Sequence, residues 1–73
     1  MDADYVGHEH VTEYMKDAQA IVAMLNNMGL DNAAIAANLR KRAFKARVDY
    51  NTMGCRLDLA LSIALAKVAD TLA

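Results

Sequence analysis

The chain has 73 residues, 56% of them apolar, with one Cys, no Pro, no Trp, three Gly and a formal net charge of −1. It can hold one small domain, and the counts exclude a two-domain enzyme, a disulfide-stapled scaffold and a four-cysteine zinc module. Fifteen of the apolar residues are Ala, so the core is thin. A domain of this length buries only about 60% of its unfolded surface and rests on roughly 3–5 kcal/mol unless it is stapled or oligomeric.

The first 17 residues carry Asp2, Asp4, Glu9, Glu13 and Asp17 against Lys16 alone. They show no basic region followed by an apolar stretch, so no secretory signal is expected. From Val11 the apolar positions Val11, Tyr14, Met15, Ala18, Ile21, Val22, Leu25 and Met28 recur every three or four residues, which predicts a helix from about Glu9 to Met28 with one buried stripe. Gly29 can take the left-handed conformation that ends a helix, and Leu30 can fold back on Met24 or Leu25 as its apolar partner.

Asp31 is placed to cap a second helix, and Ala33, Ala34, Ala36 and Ala37 favour one, with Ile35 and Leu39 a turn apart and facing inward. This helix is expected from about Asn32 to at least Arg42. Beyond it two periods compete. Phe44, Ala46, Val48 and Tyr50 alternate with Lys45, Arg47, Asp49 and Asn51, which is the strand signal. Leu39, Ala43 and Ala46 equally continue the helical stripe and would carry the helix to Val48. A strand at 44–50 would need the segment 5–11 or a second copy of itself as its partner.

Asn51 to Gly54 read as a turn, and a third helix is expected from about Cys55 to Leu72. Its run Leu59 to Ala66 would span only ~12 Å of a ~30 Å hydrocarbon core, so no membrane contact is expected. The lone thiol fits a reducing, cytoplasmic setting. Leu57, Leu61, Leu65, Val68 and Leu72 form one stripe of this helix, and Leu59 and Ile63 lie off it. Two neighbouring helices would not be expected to surround so apolar a helix, which predicts a homodimer or a docked partner over a face made of Met24, Leu59, Ile63 and Ala66.

The segment Ala34-Ile35-Ala36-Ala37-Asn38-Leu39, followed after a basic stretch by Cys55 and an apolar helix, resembles small proteins of actinobacteria and their phages. Those proteins share Ile-Ala, two residues, Leu, a short loop and a Cys that opens the next helix. The likeness covers about residues 31–65. Where a Pro often follows the Cys in that pattern, Arg56 stands here. The resemblance implies a phage or mobile-element accessory protein and carries no activity with it.

Arg40, Lys41, Arg42, Lys45 and Arg47 place five of the eight Lys and Arg residues within eight positions. Clustering of this kind serves phosphate neutralisation. It equally serves to pair with the acidic repeat Glu9, Glu13 and Asp17 of the first helix, whose like charges four residues apart repel one another. The net charge and a pI near 6.0 are below those usual for nucleic-acid binders. A helix-turn-helix over 25–47 would present Asn32, Ala33, Ala34, Ile35 and Ala36 as its reading turns, which are poor in base-contacting groups.

His8, Glu9 and His10, with Glu13, are the one metal-like grouping. On a helix the two imidazoles would point about 200° apart, so exposed histidines are expected and no metal or other cofactor. Cys55 is read as a small apolar residue at the base of the helix packing rather than a nucleophile, since the only histidines are near the N-terminus. No paired carboxylates, phosphate loop or Ser-His-Asp set is present, and no enzymatic activity is expected. Met15, Met24, Met28 and Met53 could line a docking groove or fill a core.

The expected architecture is all-α, a single three-helix domain over residues 1–73 with 44–50 extended or helical, assembled as a homodimer. The expected function is that of a non-enzymatic, phage-type accessory protein that docks on a host or phage protein through its helices. A small DNA-binding regulator using residues 40–47 is the alternative, and a structural oligomerisation module a third.

Overall fold

The computed structural model describes residues 8–72 and consists of three helices, α1 (His8–Asn27), α2 (Asn32–Met53) and α3 (Arg56–Leu72). No strand occurs among the described residues. The helix ends follow from local chemistry. Gly29 sits at φ 92°, its N–H donates to Asn26 O at 3.0 Å, and the N–H of Leu30 donates to Leu25 O at 3.2 Å. These are the two bonds of a Schellman cap, and Leu30 folds onto the core beside Leu25. Two residues on, an Asp31 carboxylate oxygen accepts from the Ala34 N–H at 2.8 Å and so satisfies one of the open donors of α2. At the far end Gly54, at φ 74°, donates its N–H to Tyr50 O, and α3 begins two residues later.

The segment 44–50 is helical, which corrects the extended reading. The alternation of Phe44, Ala46, Val48 and Tyr50 does not mark one face. On the helix Ala46 joins the inward stripe of Ile35 and Leu39 and is buried, whereas Phe44 and Val48 lie on the opposite side and are exposed. A strand here would have had no partner, because residues 8–27 are themselves helical and the rest of the suggested 5–11 segment lies outside the described residues. With every backbone group of 44–50 otherwise unpaired, continuing the α2 ladder is the arrangement that satisfies them.

α3 is the central element. It packs along α2 and against α1, while α1 and α2 touch one another little beyond their connecting turn. Its buried positions form two rows, Ala60-Ala64-Val68 and Ser62-Leu65-Ala69, separated by about 140° around the axis. A helix with two neighbours needs two such rows. Small side chains allow the axes to approach closely, and Ser62, the one buried polar residue among those described, donates its hydroxyl to Leu59 O at 2.7 Å. Of the large apolar residues of α3 only Leu65 and Val68 are buried. Leu57, expected in the inner stripe, is exposed at the first turn, and Leu61 and Leu72 are half-buried.

Among the described residues the buried apolar set is Ala18, Leu25, Ile35, Ala36, Leu39, Ala46, Ala60, Ala64, Leu65, Val68 and Ala69, and of these only Ile35, Leu39 and Val68 are large and wholly enclosed. Truncating one large side chain in such a core costs about 2–5 kcal/mol, comparable with the whole margin of a domain this small. Leu39→Ala is therefore expected to be largely unfolded at 25 °C by circular dichroism, and a native melting curve would show the core to be deeper than described. At Gly54 an added Cβ meets nothing within 4 Å, so Gly54→Ala should cost only the left-handed backbone penalty, about 1 kcal/mol. That corresponds to a fall of about 4–8 °C in the melting temperature.

Candidate binding surface

The outward side of α2 carries the most distinctive exposed chemistry. Taking about 100° per residue, Ala37, Lys41, Phe44 and Val48 form a row opposite the buried Ile35, Leu39 and Ala46, with Lys45 beside it. Phe44 is 72% exposed and Val48 43%. Asn38, Lys41, Arg42, Phe44 and Lys45 line a shallow surface hollow of about 480 Å³. Neither α1 nor α3 covers this side, because both pack elsewhere.

The five basic residues do not form one stripe. On a continuous helix they fan over more than half its circumference, with Arg40 and Arg47 on one flank of the apolar row, Arg42 on the other, and Lys41 and Lys45 along it. Some of their charge is answered within the chain. Arg40 Nη2 lies 3.2 Å from the Asp70 carboxylate of α3, Lys45 Nζ lies 3.5 Å from Asp49, and Arg42 Nε donates to Asn38 Oδ1 at 2.7 Å. Both ion pairs are largely solvent-exposed, so each contributes little to stability. Lys41 and Arg47 form no ion pair among the described residues. The expected pairing of the cluster with the acidic repeat of α1 is not found among the described residues. Glu13 and Asp17 are exposed and make no ion pair there.

The face expected from Met24, Leu59, Ile63 and Ala66 is only partly presented. Met24 is 48% exposed, whereas Leu59, Ile63 and Ala66 are half-buried on the arc of α3 left between its two buried rows. Of the other methionines, Met15 packs on the core and Met28 and Met53 are exposed. Cys55 is exposed at the head of α3, which corrects its reading as a packing residue. The turn that carries it projects past the buried rows. The candidate reading turns of a helix-turn-helix are also compromised, since Ile35 and Ala36 face the core.

α1 is helical from His8, and the side chains of His8 and Glu9 lie outside the described residues. No grouping of three or more His, Cys, Asp or Glu suited to a metal ion occurs among the described residues. Among the described residues no helix is long and apolar enough to cross a membrane. Phe44 and Val48 were not legible as surface residues in the sequence, where alternation grouped them with Ala46 and Tyr50. The signal that would have found them is their four-residue spacing off the Ile35-Leu39-Ala46 stripe, with Lys41 and Lys45 one turn away.

No family model, curated protein or solved structure matches the chain.

If Phe44 serves a partner rather than the fold, Phe44→Glu should keep the helical content and shift the melting temperature by no more than a few degrees, as for surface changes within about 0.5 kcal/mol. A large loss of stability would place Phe44 in the packing instead. Asp70→Asn, which removes only an exposed ion pair, should likewise cost less than about 1 kcal/mol.

Proposed function

We propose that this protein is a small non-enzymatic binding module that docks on a partner protein through the outer face of α2 and alters that partner's behaviour. The observation that carries this reading is the position of Phe44, largely exposed at the centre of a face whose cations are ranged along and around it. Protein interfaces have this anatomy, with an aromatic or aliphatic anchor inside and arginines and polar groups toward the rim. The occupant that fits is an acidic surface with an apolar insert. We propose further that it is an accessory protein acting on a host or phage component, as the resemblance read in residues 31–65 implies.

The same face suits duplex DNA less well. A phosphate-binding helix needs its cations free and convergent, whereas Arg40 and Lys45 are paired with aspartates and the exposed Phe44 and Val48 stand among the cations. The test is affinity capture from a lysate of the source cell, with the wild-type chain beside Phe44→Glu and Cys55→Ser. A captured protein lost with Phe44→Glu and retained with Cys55→Ser is the expected result. The opposing result is steep, salt-sensitive binding of a mixed-sequence duplex between about 50 and 200 mM salt, abolished by charge reversal at Arg40, Lys41 and Lys45. That outcome would replace docking with DNA binding.

A further inference from the structure

Arg40 of α2 meets Asp70 of α3 across 3.2 Å, and this contact fixes the register of the antiparallel pair. Counting away from it, the α2 row Arg40, Phe44, Arg47 and Asn51 and the α3 row Asp70, Ala66, Ile63 and Leu59 step by the same four, three and four residues. The two rows therefore run side by side for about 16 Å. They bound a groove between α2 and α3 on the side away from α1. Leu65 and Val68, which share the core with the α1 side chains, lie about 140–160° around the α3 axis from Ile63. Ala66, Ile63 and Leu59 are half-buried and make an apolar floor, and the exposed Phe44 and Arg47 stand along its α2 edge.

The free charges around this groove are of one sign. Arg47 on α2, and Arg56 and Lys67 within about 40° of Ile63 on α3, are exposed and form no ion pair among the described residues. Asp70, the one described carboxylate at the groove, is already held by Arg40. In a chain of net charge −1, unanswered cations on both edges of an apolar floor select an acidic occupant. We infer that this occupant is an amphipathic helix of the partner protein, its apolar stripe over Leu59, Ile63 and Phe44 and its Glu or Asp residues beside the stripe, facing Arg47, Arg56 and Lys67. A channel between two antiparallel helices takes the ridge of a third. An extended segment would need a sheet edge to join, and no strand occurs among the described residues. This rests on the docking reading and deepens it, since the seat lies on the α3 flank of Phe44 and leaves Lys41 and Lys45 on the other flank outside.

The probe is a synthetic peptide of about 18 residues, ~27 Å long as a helix, with Leu repeating at i, i+3, i+4 and i+7, Glu beside that stripe, and Ala and Gln elsewhere. It is titrated into the full nitrogen-15-labelled chain to about 2 mM, enough to detect a Kd near 1 mM, at about 0.01 M salt, where screening is weak. Two control peptides carry Lys for Glu, or the same composition in an order without a stripe. The acidic amphipathic peptide is expected to shift the amide resonances of Arg47, Leu59, Ile63 and Ala66, and the controls are expected to leave them in place. Arg47→Glu should weaken binding about fivefold or more, and Lys45→Glu, the same change of charge on the far flank of α2, less than about twofold. Helical content by circular dichroism verifies that both variants are folded. No shift with the acidic peptide, shifts confined to α2 around Lys41 and Lys45, equal weakening by the two variants, or equal binding of a control peptide overturns the inference. The docking reading is decided separately by the capture experiment. A partner lost with Phe44→Glu and kept with Arg47→Glu leaves docking on α2 alone and removes the groove.

Discussion

The two-sided burial of α3 is the constraint on which the rest of this molecule depends. A helix flanked by two others must present a row of contacts to each. The rows Ala60-Ala64-Val68 and Ser62-Leu65-Ala69 meet this with small side chains, which cost little rotamer entropy and let neighbouring backbones approach. With α3 taking one side of α1 and one side of α2, the other sides of both remain in solvent. The exposed Phe44 and Val48 and the exposed Glu13 and Asp17 are consequences of that arrangement rather than separate features.

The ends of the helices were legible because each is set by a few adjacent residues. Gly29 with Leu30, Asp31 with Ala34, and Gly54 act through their own backbone and one or two hydrogen bonds, and no distant part of the chain can override them cheaply. The buried stripe of α1 was legible for the same reason, with Met28 alone fully outside it at the cap. The C-terminal half of α2 was not. Residues 44–50 satisfy two periodicities at once, and which one holds is decided by whether a partner strand exists elsewhere, a non-local fact. The extent of burial on α3 was misread for a related reason. Large residues drew attention to Leu57, Leu59 and Ile63, but half of the inner-row residues are alanine, whose burial leaves little trace in a hydropathy pattern.

A partner-facing surface was expected at Met24, Leu59, Ile63 and Ala66. Met24 is exposed and the three α3 residues are half-buried, while Phe44 and Val48 of α2 are exposed among cations. The helix that carries the basic cluster spreads it around α2, and part of its charge is answered by Asp49 and Asp70. Binding through a surface of this kind requires no catalytic group.

Because every exposed face follows from the close packing of α3, the most direct measurement is the thermal stability of Ala64→Leu. Ala64 is wholly buried, and enlarging a well-packed buried position costs about 1–3 kcal/mol. The expected result is a cooperative transition at a melting temperature lower by at least about 5 °C, with helical content retained below it. An unchanged or raised melting temperature would mean that α3 has room at that row. In that case the small residues do not hold the three helices together, and the faces described for α1 and α2 would not follow from them.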